Sequence, residues 1–91
     1  MRRFVIERDI PEIGSAERDQ LREAAAKSNE VLSQLAPRIQ WEHSYVAGNK
    51  TFCIYLAEDE EVIQEHSRLS GFPASIVTEV GKMIDPTTAN A

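Results

Sequence analysis

The chain has a single cysteine, Cys53, in 91 residues, which excludes an internal disulfide. That fits a reducing compartment, and the cytoplasm is the expected location. No stretch approaches the ~20 apolar residues that a membrane-spanning helix needs. The opening residues, Met1 to Ile10, carry Arg2 and Arg3 near their start but no apolar run of signal-peptide length. The chain also lacks a glycine-rich phosphate loop, an HExxH pair and a CxxC pair. Positive charge is scarce: ten Lys and Arg face fifteen Asp and Glu, for a net charge of −5. Such a chain repels phosphate backbones and anionic lipids, so neither nucleic acid nor a membrane is the expected partner.

What is present describes one small globular domain spanning residues 1–91. Apolar residues make up 42% and charged residues 27%, an ordinary balance for a packed core. A chain this short buries only ~60–65% of the surface its unfolded form exposes, so a second subunit would help it.

The centre of the chain is IQWEHSYV-AGNK-TFCIYL, from Ile39 to Leu56. Two β-rich runs flank a turn at Gly48-Asn49, and this reads as a hairpin. The turn sets Val46 opposite Thr51 and Tyr45 opposite Phe52. Strict alternation then makes two faces. Trp41, His43 and Tyr45 share one with Phe52, Ile54 and Leu56. Glu42, Ser44 and Val46 share the other with Thr51, Cys53 and Tyr55. The first set is richer in large apolar groups and is expected to face the helices.

Before the hairpin, Arg3 to Asp9 reads as a strand, with Phe4 and Ile6 on one face and Val5 and Glu7 on the other. A helix capped by Ser15 follows, running to about Leu35 before Pro37. Its apolar stripe is Leu21, Ala24, Ala25, Ser28, Leu32 and Leu35, and the Ser28 hydroxyl is expected to bond back to the preceding turn. After the hairpin, Asp59 caps a helix to about Ser70, with Val62, Ile63, His66 and Leu69 inward and Gly71 as its left-handed stop. Ile76 to Ile84 reads as a last strand, and the polar tail from about residue 86 is expected to be loosely ordered. The order β-α-β-β-α-β predicts an α+β, ferredoxin-like fold, the alpha/beta plait: a four-stranded antiparallel sheet with two helices on one face. The other face, with Val5, Val46, Cys53 and Tyr55, is expected to be covered by a symmetric homodimer partner.

Two places suit a ligand. In the first, His43 and His66 both point between sheet and helices, and Trp41, Tyr45 and Ser28 line a small pocket with them; two imidazoles there would serve as metal ligands or a proton-transfer pair. In the second, Glu7, Glu42, Cys53 and Tyr55 meet on the open face, where a dimer would bury them around a divalent ion. This register sets Cys53 and His43 on opposite faces, which argues against a catalytic Cys–His pair.

WEHSYV-AGNKTFCIYLAEDEEVIQEHSRLSGFPASIVTEV-GKMIDPTTA resembles the small bacterial family called domain of unknown function 4242, described as nickel-binding proteins. The opening FVIERDIP resembles it too, and the similarity runs from Phe4 to about Thr88. The resemblance implies ferredoxin-like dimers and a divalent transition metal such as nickel. The leading expectation is a cytoplasmic dimer that binds such a metal, with His43, His66, Glu7 and Cys53 as ligand candidates. A second is a cofactor-free enzyme, monooxygenase- or isomerase-like, with a small-molecule ligand between sheet and helices, near Trp41, Tyr45, Ser28 and Tyr55. A third is a purely structural or regulatory module with no ligand.

Overall fold

The computed structural model describes residues 1–90. Its elements are β1 (Arg2–Asp9), α1 (Arg18–Leu35), β2 (Ile39–Ala47), β3 (Lys50–Ala57), α2 (Glu60–Ser70) and β4 (Ile76–Glu79). The strands form one antiparallel sheet in the order β2-β3-β1-β4. This is the ferredoxin-like α+β fold that the alternation of elements predicts.

The hairpin register is the expected one, with Val46 opposite Thr51 and Tyr45 opposite Phe52. Its orientation is the reverse of the expected one. Thr51, Cys53, Tyr55 and Ala57 are buried under the helices, while Phe52, Ile54 and Leu56 lie half-buried on the open face. The neighbouring strand decides this. Phe4 pairs with Tyr55 and Ile6 with Cys53, so the three-strand unit has one face that already holds two fully buried residues of β1. Counting apolar groups within the hairpin alone cannot see that constraint. A second departure is a β-bulge between Trp41 and His43, which leaves Glu42 without a partner. The extra residue returns Trp41 to the helix side opposite Tyr55, while His43 stays on the open side opposite Ile54.

The core is Phe4, Ile6, Ile39, Cys53, Tyr55, Ala57, Val62 and Ile63, with Leu32, Leu35 and Val77 against it. The first helix begins later than expected. Ser15 lies in a short 3-10 turn over Ile13–Ser15, and the cap is Glu17, whose N–H donates to Gln20 Oε1 at 2.7 Å. That turn is pinned to the hairpin, since Gly14 N–H donates to Gly48 O at 2.8 Å, and a Cβ on Gly14 would sit 2.5 Å from that oxygen. Only glycine allows so close an approach. The second helix keeps its expected cap, Asp59 accepting from the Val62 N–H at 2.9 Å, and stops at Gly71, φ 79°. Leu69 of its expected inward stripe is 37% exposed, and Ser70 is buried instead. The last strand ends at Glu79, well short of Ile84; Gly81 and the exposed Ile84 lie beyond it. Residues 86–90 form an exposed 3-10 turn.

Candidate functional site

Between the sheet and α1 lies a cavity of about 420 Å³. Small-molecule sites run roughly 300–1,000 Å³ and are mostly apolar with a few placed polar groups. This cavity fits that description. Leu21, Ala24 and Ala25 of α1 form one wall, Trp41 and Val46 another, and Ile10, Ile13 and Phe72 close its ends. Its chemistry comes from Arg8, Ser28, Ser44, Thr51, Cys53 and Tyr55. The small residues of α1 are why the space exists: at Ala24 and Ala25 the helix faces the sheet with a single methyl each.

Arg8 is the residue that the sequence reading missed here. Its position was legible, because Phe4, Ile6 and Arg8 alternate along β1 and must share a face. Arg8 is 2% exposed. Its Nη1 donates to Pro73 O at 2.7 Å, to Ser67 Oγ at 3.1 Å and to Phe72 O at 3.2 Å. Its Nη2 is buried with no hydrogen-bond partner among the described residues. The guanidinium carbon lies 5.9 Å from the centroid of the Tyr55 ring, a cation–π distance.

Behind the cavity wall, Ser28 Oγ and His66 Nε2 are 3.1 Å apart, which replaces the expected bond from Ser28 to its own helix turn. The His66 ring lies 5.5 Å from that of Tyr55, and its Nδ1 is buried without a partner among the described residues. Burial holds the imidazole's pKa down to about 4, helped by the Arg8 charge and partly offset by the Ser28 backbone. His66 is therefore neutral at pH 7. Burial also pushes the Tyr55 phenol up, against the opposing pull of Arg8, so it stays protonated and able to donate. Cys53 Sγ is 3.5 Å from Thr51 Oγ1.

The expected metal ligands are not brought together. His43 and Glu7 are on the open face, whereas His66 and Cys53 are buried on the helix face. The expected pairing of His43 with His66 fails because the sheet lies between them. The expected joining of Glu7 with Cys53 and Tyr55 fails for the same reason. The open-face carboxylates have cationic neighbours: Arg3 Nε is 2.7 Å from Glu42 Oε1, and Lys50 Nζ is 3.8 Å from Glu7 Oε1. Among the described residues no group of three or more His, Cys, Asp or Glu stands close enough to hold a metal ion. Inside the helix layer the Arg8 charge opposes a second cation. Of the expected pocket residues, Ser28, Trp41 and Tyr55 line the cavity, while Tyr45 lies on the open face, 61% exposed and edge-on to His43 at 5.2 Å.

A family model described as "Nickel responsive protein SCO4226-like" matches residues 4–80. The chain belongs to the SCO4226-like family. This is the same kind of family that the sequence resemblance implies, under a different family name. Among solved structures, the chain is similar to the crystal structure of SCO4226 from Streptomyces coelicolor A3(2). The match has a TM-score of 0.73 and covers 90% of this chain and 99% of that one. At 20% identity it establishes the fold and nothing finer. No curated protein matches the chain. That family is described as nickel responsive, and among the described residues one chain presents no cluster of ligands that fits a nickel ion. No helix is long and apolar enough to cross a membrane among the described residues.

Proposed function

We propose that this protein binds a small organic molecule in the cavity between the sheet and α1, acting as a cytoplasmic homodimer of the SCO4226-like family. The observation that carries this reading is the cavity itself, about 420 Å³ lined by apolar side chains around a buried Arg8. The polar groups favour binding over catalysis. The Tyr55 phenol is held protonated, and the neutral imidazole of His66 lies behind the wall, engaged with Ser28. An uncharged apolar fluorophore, N-phenyl-1-naphthylamine, tests the reading. Wild type is expected to bind it with micromolar affinity, and Ala25→Trp, which fills the space, is expected to lose at least about 10-fold, or ~1.4 kcal/mol. Equal binding by a folded Ala25→Trp variant would place the probe elsewhere.

The dimer reading rests on the open face. Val5, Phe52, Ile54 and Leu56 form a half-buried apolar stripe there, flanked by His43 and the exposed Tyr45. A face of this kind is normally covered, and a symmetric partner would bring two stripes together.

A second reading has nickel held between two copies at this face. Two observations favour it: the family description, and the exposure of His43 beside the dimer stripe. Imidazole is a good nickel ligand, and a two-fold axis would supply a second one. Calorimetric titration of untagged protein with nickel tests it. His43→Ala is expected to lower affinity more than about 10-fold, the least that loss of even a supporting group typically costs. His66→Ala is expected to leave nickel binding unchanged as long as it folds. Equal affinity of wild type and His43→Ala would end this reading.

A further inference from the structure

Arg8 sets a problem that the protein does not solve by itself. A guanidinium cannot shed its proton at any ordinary pH, and a buried charge without a counter-ion typically costs several kcal/mol. The three acceptors of Nη1 are two carbonyls and a hydroxyl, all neutral. No carboxylate pairs with Arg8 among the described residues, and no residue lining the cavity is acidic. Arg8 lines this cavity, which thus has one fixed positive charge, the hydroxyls of Ser28, Ser44, Thr51 and Tyr55, and otherwise apolar walls; the Nη2 group of Arg8 is buried with no acceptor among the described residues.

We propose that this cavity, on the reading above that it is a ligand site, takes an amphipathic monocarboxylate. Its head pairs with the guanidinium of Arg8, and its apolar body lies against Leu21, Ala24, Ala25 and Trp41. The charge count selects the class. One carboxylate neutralises one guanidinium, whereas a phosphate monoester would leave about one further negative charge buried, and a neutral head would leave Arg8 as it is. Carboxylate is also an acceptor-only group when ionised, so it matches a site that offers N–H and O–H donors. The same charge excludes cationic ligands, whatever their shape.

Calorimetric titration of the untagged full chain with octanoate, octanol and octyl phosphate tests this at pH 7. Octanoate is expected to bind roughly 10- to 100-fold tighter than octanol, the range set by charge-assisted hydrogen bonds. Octyl phosphate is expected to bind more weakly than octanoate. In Arg8→Met, the preference for octanoate over octanol is expected to be lost. The wild-type comparison stands even where Arg8→Met fails to fold. Octanoate and octanol binding equally would overturn the carboxylate inference and leave the cavity reading intact. Failure of both to bind would overturn the two together, and tighter binding of octyl phosphate would overturn the choice of a monoanion.

Discussion

Lowering the pH from 7 to 4 is expected to cost the fold about 3 kcal/mol through His66 alone. In the native state its pKa is about 4, against an ordinary value of 6.5. Below pH 6.5 the unfolded chain takes up a proton that the folded chain refuses. The unfolded state therefore gains, and the loss of stability grows until the pH reaches the native value. Burial is the largest cause and the Arg8 charge the second, so the groups that face the ring are Arg8, Tyr55 and Ser28. Carboxylates such as Glu42 and Glu65, held low by arginine partners, also cost stability as acid protonates them. They are exposed and contribute little, and a comparison of variants subtracts them. Urea unfolding of wild type and His66→Gln at pH 7 and pH 4 measures the difference. His66→Gln is expected to lose about 3 kcal/mol less than wild type across that interval. The same loss in both proteins would mean that His66 titrates normally.

Tyr55→Arg is expected to unfold the chain, and Ile54→Arg to leave the fold intact while breaking the proposed dimer. The two positions are adjacent on β3 and point to opposite faces. Tyr55 is 2% exposed, with Arg8 over its ring and His66 beside it. Replacing it removes a buried aromatic, which typically costs ~3–5 kcal/mol, and sets a second guanidinium near the first. The total approaches the ~5–15 kcal/mol by which a whole domain is stable. Ile54 lies in the middle of the apolar stripe of the open face, between Val5 and His43. An arginine there reaches water in the monomer, but two of them would meet, desolvated, across the proposed symmetric interface. Circular dichroism and light scattering separate the outcomes. A folded Tyr55→Arg variant would mean that the hairpin faces are exchanged. A dimeric Ile54→Arg variant would place the interface elsewhere.

The fold was legible in the sequence because its signals are local. Asp59 and Gly71 bracket α2, and Gly48-Asn49 sets the hairpin register. The orientation of the hairpin was not legible from the hairpin alone, because Phe52, Ile54 and Leu56 outweigh Thr51, Cys53 and Tyr55 in apolar bulk. An uncovered apolar stripe looks like a core stripe when only its composition is read. The bulge at Glu42 gave no signal in the alternation, and it alone parts Trp41 from His43. The pairing of His43 with His66 fell with that orientation. The charge of Arg8 suggests a surface place, although its two buried neighbours at steps of two, Phe4 and Ile6, set it inside.

The most direct test is the location of a bound ligand by amide chemical-shift mapping with an uncharged apolar probe such as N-phenyl-1-naphthylamine. The cavity account predicts shifts concentrated at Leu21, Ala24, Ala25 and Ser28 of α1 and at Thr51 and Cys53 of β3, with the Trp41 indole N–H moving among them. His43, Tyr45 and residues 76–79 should stay in place. Shifts centred instead on His43, Tyr45 and Ile54 would contradict it, because they would put the ligand on the open face of the sheet.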